Sequence, residues 1–449
     1  MNKIDNAIYG LERKYPQYSL RLWLKRNSKI CSFFIYSFFG IMLIFPDEFA
    51  IVLFYLLNGL YLITQIFKLI LIIIGTLKQK VEDFKIDDSN LETYSIILPV
   101  YKENKVINSL VQSIKKLDYP KALLEVKIVV EEDDLLTLKA IEEVNLPDYF
   151  EVIKVPVSEP RSKPKACNYA LQFLQGKYVV VYDAEDRPHP QQLKQVIAKF
   201  INSNQEVVCV QARLNFYNRE ESYLTKMFAI EYALLFDYIL VGLKELNIPI
   251  CLGGTSNHFI KEKLENLGGW DAFNVTEDAE LGVRLFNEGY QVELISSVTL
   301  EEAPLEVGAW IVQRSRWIKG HTLTSLQYMF SSNKLKIKER IGLILFLCLP
   351  NLTYLLLSVY LLLWIFIDES SQIDLLWKFN LSLGIILSIG YGLFVSISKG
   401  WKNMMRASLL MCGYYLLLPI AGIRAFWQIL EKPFYWDKTE HGVSKNYEE

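Results

Sequence analysis

The sequence predicts an α/β domain, a mainly parallel sheet with helices on both faces, inserted between N- and C-terminal membrane segments. Three observations predict it. Short apolar runs alternate with helical stretches from Thr93 to about Leu335. Runs apolar enough to cross a bilayer flank that region on both sides. Acidic clusters follow two of the short runs, at the strand ends where open α/β sheets bind ligands.

The 449 residues suffice for two or three domains. They divide into a leader with a membrane helix pair (1–80), the α/β domain (81–335), and membrane and interfacial helices with a tail (336–449). The formal net charge of -2 speaks against a general nucleic-acid binder. The six cysteines are scattered without a CxxC pair, and the four histidines lie well apart. A disulfide framework or a zinc site is not expected.

"ICSFFIYSFFGIMLIFP" from Ile30 is just long enough to span, and the run from Phe49 spans comfortably. Arg21, Lys25, Arg26 and Lys29 precede the pair, and Lys78 and Lys80 follow it. Asp47 and Glu48 occupy the turn between them. The positive-inside bias puts the N-terminus and the central domain in the cytoplasm. "KQKVEDFKIDDSN" (Lys78–Asn90) reads as the linker. Two further spans start near Leu343 and Leu375, separated by the acidic "DESSQID". The last apolar stretch, Ala407–Leu430, holds Pro419 and Arg424 and reads either as a fifth span or as an in-plane, re-entrant helix. Lys68 is an ionisable exception within the spans, and snorkelling offers it relief.

Within the central domain, "YSIILPV", "EVKIVV", "EVIKVPV" and "KYVVVYD" read as buried strands. Val106, Leu110 and Ile114 keep helical spacing after the first. Pro164 and Gly176 bracket a helix in "KPKACNYALQFLQG". There is no GxGxxG after a strand and no GxxxxGK[ST], so a dinucleotide-binding dehydrogenase or P-loop enzyme is disfavoured. A nucleotide would need a carboxylate-held cation at its phosphates instead.

Three acidic clusters offer one: "EEDD" (Glu131–Asp134), "DAED" (Asp183–Asp186) and "TED" (Thr276–Asp278). Asp183 and Glu185, two apart at a strand end, suit a hard oxygen-seeking ion such as Mg or Mn. "EEDD" reads equally as a solvated turn. Taken alone, Asp278 reads first as part of a capped helix start, with Thr276 as cap and a dipole-lowered pKa. In "QRSRW", helical spacing puts Gln313, Arg316 and Trp317 on one face and turns Arg314 and Ser315 elsewhere. That face suits a sugar ring, or an interfacial anchor at the headgroups.

"SIILPVYKE", "EEDD", "KPKACNYAL", "DAEDRP", "GGTSNHF", "GGW", "TED" and "QRSRW" fall in this order over Ser95–Trp317. The set resembles membrane-embedded family-2 glycosyltransferases with a GT-A (Rossmann-like) domain, such as the cellulose synthase catalytic subunit. The resemblance implies a Mg or Mn ion on Asp183 and Glu185, with Asp186 as fallback. It implies a nucleotide-sugar site from Pro99, Tyr101, Glu103, Glu131, Glu132 and Lys165. Asp278 becomes the general base of an inverting transfer, and Glu277, Gln313, Arg316 and Trp317 hold the acceptor. Trp436, Lys438 and Thr439 in "FYWDKTEHG" become a gating loop. The leading expectation is a multi-pass enzyme of the cell membrane, its active site facing the cytoplasm. It would build a β-linked polysaccharide from a nucleotide diphosphate-sugar and export it, with accessory subunits or a homo-oligomer left open. The alternatives are single addition to a lipid acceptor, or a non-catalytic scaffold or transporter subunit.

Overall fold

The computed structural model describes residues 2–79, 86–331, 334–363, 371–438 and 441–445. Part of the expected linker (80–85), the start of the acidic loop (364–370) and Thr439 of the expected gating loop lie outside them.

The central domain is built on one sheet with strand order β3-β2-β1-β4-β7-β6-β8-β5. The strands are β1 Tyr94–Val100, β2 Leu124–Glu131, β3 Phe150–Val155, β4 Tyr178–Val181, β5 Arg187–Pro188, β6 Val207–Phe216, β7 Asn257–Ile260 and β8 Gln291–Glu301. The four strands expected from sequence are β1 to β4, and they pair in parallel. Their continuous apolar runs follow from burial on both faces. Ile96, Leu98 and Val100 of β1 face a core that includes Leu110 and Ile114 of the helix Ile107–Lys115. Ile97 faces the opposite core with Ala166 and Ala170 of the helix Lys163–Leu171.

The second half corrects the expectation of a mainly parallel sheet. β7 runs antiparallel to both β4 and β6, whereas β6 and β8 are parallel, so the sheet is mixed. The Ser256 amide donates to the Val181 carbonyl at 3.0 Å. The chain thus joins β7 at the edge where β4 ends and can only run back. Parallel pairing would first require a crossover to the other edge.

Among the described residues three helices are long and apolar enough to cross a membrane: Pro46–Lys78, Ile337–Leu356 and Leu375–Ser398. The helix Leu20–Ile44, expected as a span, is not among them. Arg21, Lys25, Arg26 and Lys29 fill its first half, and the apolar remainder falls short of the ~20 residues a crossing needs. Lys402–Ser408 and Met411–Glu431 form a pair bent by 60°, as a broken span or a re-entrant loop. Pro419 sits in the first turn of its last helix, Leu418–Glu431, where its missing N–H breaks no helical bond.

Pro46–Lys78 has 33 residues, about 50 Å of helix, against a hydrocarbon layer of about 30 Å. Its C-terminal part lies along the central domain. A Cβ at Gly75 would meet the Tyr238 carbonyl oxygen at 2.0 Å, and one at Gly242 would meet the Leu71 carbonyl oxygen at 2.4 Å. Only glycine permits this approach. Leu71 and Ile72 share one core with sheet residues and with Val395, Met411 and Tyr414 of the C-terminal helices.

Candidate active site

A cavity of about 400 Å³ lies beyond the carboxyl ends of β1, β2 and β4. Pro99, Tyr101 and Glu103 of the β1 end and Glu131 of the β2 end form one wall. Asp183 and Glu185 follow β4. Glu277 and Asp278 open the helix Glu277–Asn287, and Gln313, Arg316 and Trp317 project from the helix Val307–Ser331. Trp436 and Lys438 of the tail complete the lining. Parallel strands deliver their ends to one edge, and the helices and tail close over it, so residues as distant in sequence as Pro99 and Lys438 meet here.

Glu132 and Lys165 do not line this cavity. Side chains alternate along the β2 end, so Glu131 turns inward while the exposed Glu132 accepts from the Val157 amide at 2.9 Å. Lys165 is fully buried and pairs with Glu131 at 2.7 Å. An unpaired charge at that depth would cost several kcal/mol. Burial raises the Glu131 pKa and Lys165 opposes the rise. The second carboxylate oxygen of Glu131 has no protein partner among the described residues. Two positions before Lys165, across the helix, Lys163 reaches the cavity and forms an ion pair with Asp183. Burial alone would lower the Lys163 pKa, but Asp183 and Glu277 raise it.

Glu185, not Asp186, faces the cavity. Asp186 is buried under the turn, where it accepts from the Asp183 amide at 2.7 Å and from the Thr255 hydroxyl. Burial, then Asp183 and Glu185, push its pKa well up. The remaining pair, Asp183 and Glu185, is a hard-oxygen donor set, and a side-chain cation stands against each member. Lys163 sits on Asp183, and His441 lies 3.0 Å from Glu185 and 3.1 Å from Glu103. Burial opposes charge on His441, yet Glu185 and Glu103 raise its pKa well above the ordinary value. These residues fit a divalent ion. We expect Glu185→Gln to weaken Mn binding about tenfold or more, and Asp186→Asn to leave the Mn titration near wild type. Titrating both variants with Mn checks this.

The helix start around Asp278 differs from a capped one. Thr276 occupies the cap position but makes no capping bond, its hydroxyl turning back to Asn274 at 3.3 Å. Asp278 accepts from the adjacent Ala279 amide, at 2.8 Å. The expected low pKa is therefore corrected. Burial raises it, with the Ala279 bond, Lys163 and Arg316 as opposing influences. Burial raises Glu277 as well, reinforced by Asp278. Two adjacent buried carboxyls hold a proton between them more readily than one exposed carboxylate does.

Gln313 presents a buried amide oxygen without a protein partner among the described residues. Arg316 donates to the Val275 carbonyl at 3.3 Å and stacks 4.4 Å from the Trp436 ring. Lys438 pairs with Glu103 at 2.9 Å. The tail thus lies on the cleft. Arg314 does not turn away as helical spacing suggests. It lines the cavity on its membrane side, bound to Glu231, with 3.1 Å for one of the two contacts. Ser315 does turn away, donating to the Ile311 carbonyl at 2.6 Å.

Sequence reading missed Lys163, Arg161, Arg314, Glu231 and His441. "KPK" signals a basic helix start, but which lysine faces the ligand depends on helix phase. His441 stands inside the quoted tail motif, yet its partners are hundreds of residues away. Arg161 pairs with Asp133 at 2.8 Å, a contact visible only after β2 and β3 align.

A family model described as Glycosyltransferase like family 2 matches residues 92–320. "Probable glycosyltransferase YdaM" of Bacillus subtilis (strain 168) is 25% identical over 326 residues, 70% of this chain and 74% of the relative. "Beta-monoglucosyldiacylglycerol synthase" of Trichormus variabilis is 26% identical over 261 residues, 56% of this chain. The match spans about half (53%) of that relative's length. The solved mannosyltransferase PcManGT from Pyrobaculum calidifontis, in complex with GDP-Man and Mn2+, superposes with a TM-score of 0.58 at 20% identity. That superposition covers 85% of this chain and 98% of PcManGT and shows an α/β, GT-A-like fold. With the family match covering half of its length, and with this fold, the chain belongs to the family-2 glycosyltransferases.

Proposed function

We propose that this enzyme transfers one sugar from a nucleotide diphosphate-sugar to a membrane lipid, with inversion at the anomeric carbon. One observation carries the choice of acceptor. A second cavity, of about 530 Å³, lies among the membrane helices and joins the catalytic cavity at Lys68, Glu231 and Ile239. Phe54, Leu57, Tyr61, Leu381 and Ile385 give it a mainly apolar lining. Such a lining favours an acyl or isoprenoid chain over a hydrated polysaccharide. The relative named for glucosyldiacylglycerol synthesis agrees in direction. Single addition therefore ranks above the processive synthase that the cellulose synthase resemblance implies. Family membership ranks both above a non-catalytic scaffold.

The nucleotide-sugar donor accords with the GDP-Man held by PcManGT, whose complex also contains Mn2+. In this chain Glu131 offers a free carboxylate oxygen to the base, with Tyr101 and Pro99 beside it. Asp183 and Glu185 would hold the ion, which when bound would neutralise the donor diphosphate. Asp278 takes the proton from the acceptor hydroxyl as its oxygen attacks the anomeric carbon. The bond from that carbon to the diphosphate breaks on the opposite face, its electron pair leaving with the diphosphate. Arg316 stabilises the departing charge. Trp436 and Lys438, with Thr439 beyond the described residues, cover the loaded cleft and exclude water.

The test is purified protein in lipid, supplied with a panel of labelled nucleotide sugars and Mg or Mn. A single labelled glycolipid is the expected product. Label confined to a polymer overturns the proposal.

A further inference from the structure

Lys68 sits where the two cavities meet. Counting from Phe49, the first apolar residue after Asp47 and Glu48, Lys68 is about 29 Å along the helix. That is the full thickness of the hydrocarbon layer. One turn later Leu71 packs against Gly242 of the catalytic domain. A crossing that starts at Phe49 and runs along the membrane normal brings Lys68 to the headgroup level, and Lys68 lines the catalytic cavity.

Among the described residues no ion pair or hydrogen bond holds the Lys68 ammonium, which lies over two ring faces, Tyr391 at 5.0 Å and Tyr415 at 5.5 Å, and Glu231 is the carboxylate that attracts it. Glu231 lines the same junction, but Arg314 and Tyr414 already bind its carboxylate. With Arg314 on Glu231, a protonated Lys68 leaves the junction one positive charge in excess. A snorkelling lysine would turn to bulk water at the protein surface, but Lys68 turns into the cavity between the helices. An ionisable group kept at such a place calls for a partner of opposite charge.

We propose that the acceptor is a phospholipid whose headgroup phosphate pairs with Lys68 and whose terminal hydroxyl extends into the catalytic cavity. This rests on the lipid-acceptor reading above and adds the acceptor's charge. Asp278 supports the hydroxyl: a phosphate oxygen would attack without surrendering a proton, whereas a hydroxyl needs a base. The hydroxyl oxygen bonds to the anomeric carbon, its proton passes to Asp278, and the nucleoside diphosphate leaves with the electron pair of the broken bond. The phosphate at Lys68 is unchanged throughout.

The experiment uses the full chain in phosphatidylcholine nanodiscs with labelled nucleotide sugar and Mn, offering phosphatidylglycerol or diacylglycerol. Phosphatidylglycerol is expected to be labelled about tenfold more efficiently. Lys68→Gln is expected to raise its KM about tenfold, while Lys68→Arg, which keeps the charge, holds KM near wild type. Equal labelling of the two lipids overturns the charge assignment and leaves the lipid-acceptor reading standing. So does a Lys68→Arg loss as large as that of Lys68→Gln, which assigns Lys68 to packing. Label in polymer alone overturns both.

Discussion

Replacing Asp278 with Asn is expected to lower kcat by roughly 10²- to 10⁴-fold, the range a positioned general base supplies. Donor affinity should stay near wild type, because the proposed nucleotide wall of Pro99, Tyr101 and Glu131 comes from the ends of β1 and β2, not from the helix that carries Asp278. The measurement is kcat against KM for the donor, with binding followed separately by calorimetry. Full activity in Asp278→Asn would remove Asp278 from the mechanism. The pH profile gives an independent reading. Burial raises the pKa of Asp278, and the base acts only when deprotonated. Activity should therefore fall as pH drops through that raised pKa, earlier than for an exposed aspartate. In Asp278→Asn the residual rate should lose that acidic limb.

A second large effect is expected from Glu280→Ala, one turn of the same helix away from the cavity. Glu280 and Arg284 are both fully buried and pair at 2.8 Å. Tyr328 donates to the other Glu280 oxygen at 2.6 Å, and Arg284 also donates to the Leu267 carbonyl at 2.8 Å. Removing the carboxylate leaves a guanidinium without its counter-charge, and breaking such a pair destabilises by about 3–5 kcal/mol. The thermal unfolding midpoint of the purified protein should drop accordingly. Activity should fall with it, since this helix carries Asp278 at its first turn. The double substitution Glu280→Leu with Arg284→Met removes both charges together and should recover much of the loss. A double variant as unstable as the single one would show that lost packing, not stranded charge, is responsible.

These two residues show how far the sequence carries. Asp278 was legible because "TED" falls in order with "DAED" and "QRSRW", although its titration was misjudged. The helix dipole acts on any first-turn carboxylate and is visible in sequence. Burial opposes it here, and burial depends on Lys163, Arg316 and the tail closing around the site. Glu280 carried no signal beyond helical spacing to Arg284, because an exposed pair has the same spacing as a buried one. Lys165 and Glu132 fail for a related reason. A basic or acidic pair marks a strand or helix end, but only helix phase and strand pleat decide which member faces the ligand.

By itself the sequence determined the alternation of β1 to β4 with helices, the flanking apolar segments, and the residue types of a carboxylate-rich cavity. Those are local properties: hydrophobic periodicity, run length and motif order survive without any knowledge of neighbours. The tertiary structure decided the rest. It made the sheet mixed, because β7 enters at the edge where β4 ends. It selected Glu185 over Asp186 and Lys163 over Lys165, and it brought His441 against Glu103 and Glu185. It also placed Lys68, in sequence a single charge in an apolar run, in the lining of both cavities. Each of these depends on contacts between residues well apart in sequence, and such contacts exist only after the sheet and the flanking helices share one core.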